Sequence, residues 1–148
     1  MVRFNEFYRY STKFTDESLE FLRTAKIGRL ATYDESGYPN IVPIWFIQLE
    51  NQNILMLTPP NSEKVKNIQR NSKACFIVDI YEDEMKDVKT VMIQGDMKIK
   101  PELFDLAYKL LLQKYPIFKE FNVNQKDYTV LEITPKKTLI YFLKKKSS

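Results

Sequence analysis

Apolar positions recur along this chain in two rhythms, one helical and one alternating, and their order predicts the elements. Leu19, Leu22 and Ala25 share a helical face. Thr15 ahead of Asp16-Glu17-Ser18 supplies a cap and first-turn acids. That helix either packs on the end of a barrel or lies as a lid over a ligand. Two strands follow, Ile27–Tyr33 and Tyr38–Ile47, joined by a turn containing Gly37. The second is apolar at Ile41, Val42, Ile44, Trp45, Phe46 and Ile47, which predicts burial on both faces, against a core and against something else such as a partner subunit. Pro43 within it cannot donate to a ladder and marks an edge, a bulge or a ligand's approach.

A third strand, Ile54–Thr58, is stopped by Pro59-Pro60, and Ser62 then caps a helix running to about Asn71. Lys64 falls in its first turn, where the macrodipole disfavours a cation. It is either a solvated surface lysine or the partner of an anion held by the free N–H groups of the same helix end. Ala74–Tyr81 forms strand four, and the acidic run Glu82–Asp87 an exposed turn without calcium-loop spacing. Val91, Ile93, Met97 and Ile99 mark one face of strand five, Gln94 and Asp96 the other. Gly95 between them signals a bulge or a close backbone approach. Pro101 opens a helix through about Tyr115 with an apolar stripe. Pro116 ends it, Ile117–Phe121 adds one further turn, and strands Tyr128–Thr134 and Thr138–Leu143 close the chain. Seven short strands with interspersed helices predict an α+β protein dominated by an antiparallel barrel.

Composition narrows the chemistry. The 148 residues suit one domain, with a core over roughly 15–143 and partly frayed ends. There is no histidine and one cysteine, Cys75. Imidazole acid–base work, Ser-His-Asp and Cys-His devices, His-ligated metals and an intrachain disulfide are therefore excluded, and no metal site is expected. No apolar run reaches the roughly 20 residues that span a bilayer. The first residues lack the apolar stretch of a secretory signal. A soluble, cytoplasmic protein is expected. A net charge of +4 favours anionic ligands but is too diffuse to imply nucleic acid. No catalytic acid–base set is visible.

The ordered set Ile27-Gly28-Arg29-Leu30-Ala31-Thr32, Gly37–Phe46, Leu57-Thr58, Ser62-Glu63-Lys64, Asn67-Ile68, Asn71 and Val91–Gly95 resembles the pyridoxamine 5'-phosphate oxidase-like, FMN-binding split-barrel proteins. The resemblance implies an antiparallel split β-barrel of six to seven strands with flanking helices. It also implies a homodimer with FMN at the subunit boundary. By position it puts Val42, Pro43, Ile44 and Trp45 beside the flavin ring, largely through backbone atoms. Thr58, Ser62 and Lys64 would hold the phosphate, with Asn67 a further candidate. Gln94 would approach the flavin or the partner subunit.

Departures from that pattern matter. The end, Tyr141–Lys146, lacks the arginine and histidine with which oxidases proper grip a pyridoxine substrate, which argues against that activity. Asn40 stands where many relatives have histidine. The leading expectation is an FMN-dependent oxidoreductase of a small or redox substrate. Its alternatives are a reductase using a deazaflavin (coenzyme F420), with Lys66 or Arg70 as extra cations, and a flavin or tetrapyrrole carrier without turnover.

Overall fold

Fifteen residues of one strand organise the sheet. The computed structural model describes residues 6–144, and in it β8 (Thr129–Leu143) pairs with β7 (Asp87–Ile99) along nearly its whole length. The remaining elements, in chain order, are β1 (Tyr8–Ser11), α1 (Asp16–Thr24), β2 (Gly28–Tyr33), β3 (Pro39–Ile44), β4 (Ile47–Gln48), β5 (Ile54–Thr58), α2 (Glu63–Arg70), β6 (Lys73–Glu82) and α3 (Phe104–Lys114). Short 3-10 turns, Pro101–Leu103 and Pro116–Glu120, flank α3. The sheet is antiparallel in the order β3-β2-β6-β7-β8-β5-β4, with β1 added on β8.

The order places β3 and β4 at opposite edges, yet only Trp45 and Phe46 separate them in the chain. Three residue steps span at most about 11 Å, so the sheet must roll until its two edges nearly meet. Among the described residues no ladder joins those edges. The fold is therefore an antiparallel split barrel with flanking helices. Among the described residues it has eight strands, counting the short β1 and β4.

Local chemistry explains the helices. Thr15 accepts from Ser18 N at 3.1 Å while Ser18 Oγ accepts from Thr15 N at 2.8 Å, a reciprocal capping box. α2 starts at the predicted Ser62 cap and ends at Asn71. Inside the barrel, Leu30, Phe46, Met56, Phe76, Ile93 and Ile133 form the main core together with Leu22 of α1. A second core lies outside β5, where Leu55 and Val130 meet Phe104, Ala107 and Leu111 of α3.

Three expectations change. Thr129–Leu143 form one strand, not two, because Pro135 sits at a register shift: Gln94 faces Lys137, Gly95 faces Pro135, and Lys136 is the extra residue. A Cβ on Gly95 would lie 2.1 Å from the Thr134 carbonyl oxygen, so this glycine serves both a bulge and a close approach. Two-faced burial belongs to β5, which has α3 outside it, and not to β3. Being an edge strand, β3 buries Val42 and Ile44 in part and leaves Ile41 60% exposed. Finally, residues 8–11, without a clear period in the sequence, pair with β8. The expectation of frayed ends concerns residues 1–5 and 145–148 in part, and those lie outside the described residues.

Candidate functional site

The end of β5 and the start of α2 form a small polar corner. Pro59-Pro60 ends the strand and Ser62 turns the chain into the helix, so Thr58 and Ser62 come together, Thr58 Oγ1 donating to Ser62 Oγ at 3.0 Å. Thr58 is almost wholly buried. Ser62 Oγ accepts a long bond, 3.5 Å, from Val65 N. The N–H groups of the first turn have no intrahelical acceptor, as in any α-helix. Lys64 stands there half-buried and, among the described residues, without an ion pair. Burial lowers its pKa, since the ammonium form has lost water without gaining an anion.

Asn67 is placed differently. Fully buried, its Nδ2 donates to Thr32 Oγ1 at 3.0 Å, and its Oδ1 accepts from Arg70 Nη2 at 2.7 Å. Its amide thus ties α2 to β2. Arg70 shares that network and Lys66 is solvent-exposed.

Pro43, Ile44 and Trp45 line a groove of about 610 Å³, with Ile27, Leu57, Leu111, Phe118, Phe121 and Tyr128 completing its walls. Leu57 lines this groove from the α3 side of β5, whereas its neighbour Thr58 points to the opposite face, as Ile54 and Met56 do. Val42 and Ile44 share the face of β3 that packs on the main core, opposite Pro43, and Ile44 at the strand's end also touches the groove. Trp45 is fixed by Tyr115, whose hydroxyl accepts from Phe46 N at 3.0 Å and lies 2.9 Å from Lys26 O. Burial pushes the Tyr115 phenol up to about 12, so it stays protonated in neutral solution.

Gln94 is not in this groove. It lies on the outward face of the sheet, in a second groove of about 560 Å³ with Ala31, Tyr33, Cys75, Asp96 and Lys137. Lateral pairing lines up Ile41, Ala31, Cys75, Gln94 and Lys137 in one row, and Pro43, Arg29, Ile77, Met92 and Leu139 in the next. That face is largely apolar, with Arg29 and Asp79 paired on it at 2.8 Å. Burial pushes the Cys75 thiol pKa up, which makes it a poor nucleophile.

Sequence reasoning did not single out Tyr115, Phe118, Phe121 or Tyr128. The density of aromatic residues after α3 was a signal, but only the fold shows that they turn toward Trp45.

An open antiparallel barrel with flanking helices, an apolar groove beside its edge strand and a half-buried lysine at a helix start defines a class of split-barrel proteins. The chain matches the pyridoxamine 5'-phosphate oxidase family over residues 14–141 and belongs to it. A relative from Streptomyces rimosus, a 5a,11a-dehydrotetracycline/5a,11a-dehydrooxytetracycline reductase, is 30% identical over 92 residues. That match spans 60% of this chain and 65% of the relative. Among solved structures, a FAD-binding protein from Mesorhizobium loti superposes with a TM-score of 0.70 at 19% identity, over 93% of this chain and 99% of that one. An F420 reductase superposes with a TM-score of 0.64 at 18% identity, over 80% and 93%. At such identities these structures speak for the fold alone.

Proposed function

We propose that this protein is a homodimeric flavin- or deazaflavin-dependent oxidoreductase that reduces or oxidises a small organic molecule. The observation that carries the reading is Lys64: a half-buried cation at a helix N-terminus, beside the Thr58–Ser62 pair and without a counter-ion among the described residues. A cofactor phosphate would supply the missing charge and accept from the free N–H groups. The residues therefore fit the phosphate of FMN. Pro43, Ile44 and Trp45 would flank its ring from the end of the edge strand β3, whose outer backbone groups no neighbouring strand takes up among the described residues. The flavin would supply hydride or electron transfer, and the chain would bind, orient and exclude water.

Dimerisation is supported by the outward face of β3, β2, β6 and β7, where Ile41, Tyr33 and Tyr81 are exposed. A contiguous apolar sheet face on a single chain marks an interaction surface. Gln94 lies on it and would reach a cofactor from the neighbouring subunit. The relative named for reduction of a dehydrotetracycline supports a reductase over an oxidase of pyridoxamine phosphate. The segment Tyr141–Leu143 supports the same choice, being locked into β8 between β1 and β7 without an arginine or histidine.

The purified protein should show the absorption of an oxidised flavin, and denaturation should release FMN or the deazaflavin. Competitive titration of the stripped protein then ranks the two. A colourless preparation that takes up neither would sink the proposal.

A further inference from the structure

A third groove is larger than the two described above. About 750 Å³ in volume, it lies between the end of α1, β4 and the end of α3. Three cations line it, Arg23, Lys26 and Lys114. Arg23 is paired with Glu20, and Glu50 lies exposed on the rim. Lys26 and Lys114 form no ion pair among the described residues.

Both lysines have one structural bond each. Lys114 Nζ donates to Leu22 O at 3.0 Å in the last turn of α1, and Lys26 Nζ donates to Lys114 O at the end of α3. Each ammonium carries three donors, so each keeps two. Their nitrogens lie 5.2 and 5.5 Å from the centroid of one ring, Tyr115, which brings like charges together around a single side chain. Lys114 also sits 3.7 Å from the Phe46 ring centroid. Its pKa is lowered to about 7, first by burial and then by Lys26 and Arg23. Helix capping alone does not call for two cations at one spot. The Gln113 amide adds a neutral donor to the same walls, while the Thr24 hydroxyl donates to the Glu20 and Phe21 carbonyls and Gln48 Nε2 to the Gln52 carbonyl.

We propose that this groove binds a small oxyanion, a phosphate or carboxylate group, between Lys26 and Lys114. The bound anion would remove the repulsion between the lysines and use their spare donors. It would also hold Lys114 protonated, so binding takes up protons and weakens as pH rises above neutral. Tyr115 has Trp45 stacked on it at 4.8 Å, and Trp45 is the chain's one tryptophan, so its fluorescence reports on this groove.

The test titrates potassium phosphate and potassium malonate into the protein against potassium chloride at matched ionic strength, following Trp45 emission. A saturable response to phosphate alone assigns a phosphate ligand, and one to malonate alone a carboxylate ligand. Lys114→Met, and the milder Lys26→Gln that keeps a donor for the Lys114 carbonyl, should each weaken binding roughly tenfold or more. Lys64→Gln should leave it unchanged, which separates this site from the candidate cofactor corner. Should Lys114→Met fail to fold, Lys26→Gln carries the test. The proposal is overturned if neither oxyanion differs from chloride, if Lys26→Gln binds like the parent, or if Lys64→Gln alone abolishes the response.

Discussion

Trp45 lies flat on Tyr115, with ring centroids 4.8 Å apart and planes 7° from parallel. The stack stands where the chain crosses from one edge of the sheet to the other. It therefore holds both the barrel's near-closure and the wall of the candidate cofactor groove. The phenol that anchors it reaches the backbone of Phe46, which is wholly buried.

Tyr115→Phe keeps the ring and removes the hydroxyl. Phe46 N–H then loses its acceptor inside the protein, which should cost about 1–3 kcal/mol. Urea denaturation checks the cost, and near-UV circular dichroism should show Trp45 less ordered. An unchanged midpoint would mean that water replaces the phenol.

Gly95→Ala should be among the most damaging single substitutions. The added carbon meets a backbone oxygen rather than a movable side chain, so β7 or β8 must shift. We expect a loss of more than about 2 kcal/mol. The same measurement on Gly37→Ala, at a φ of +85° with open space around it, should show backbone strain alone and a smaller loss.

Lys114 predicts a pH dependence. Its folded pKa of about 7 lies below the value of about 10.4 for a free lysine. The unfolded chain therefore binds more protons between those values, and this group's contribution makes stability rise with pH across that window. Lys114→Met should flatten the rise between about pH 7 and pH 9, as read from urea midpoints. A parent curve already flat there would contradict the burial of the charge.

Ile41→Lys places a charge on the exposed row of β3 without touching the core. If the outward sheet face is the dimer surface, light scattering should report a dimer for the parent and a monomer for the variant. A parent that is monomeric at all concentrations would remove the subunit boundary from the account.

Much of this was legible in the residues. The α2 start was readable because Pro59-Pro60 and Ser62 are local signals, and Gly95 because a glycine amid β-formers needs a reason. Other features depend on which neighbour covers a strand, which no local pattern states. β3 and β5 are both apolar runs, yet only β5 received α3 on its outer side. Pro135 reads as a breaker, but a bulge opposite Gly95 lets β8 continue through it. In the candidate site, Pro43, Ile44 and Trp45 share one groove and Thr58 and Ser62 meet at the start of α2, but no single groove holds both groups. Asn67 is spent on Thr32 and Arg70, and Gln94 faces another groove, because side-chain partners are set by tertiary packing.

The most direct measurement of the central claim is the FMN dissociation constant of Lys64→Ala beside that of Lys66→Ala. Lys66 is exposed and two residues along the same helix, so it controls for a general loss of charge. Loss of a charge-assisted phosphate contact should weaken FMN at Lys64 by roughly tenfold or more, with Lys66→Ala close to the parent. Equal affinities in all three proteins, or no binding by the parent, would contradict the account.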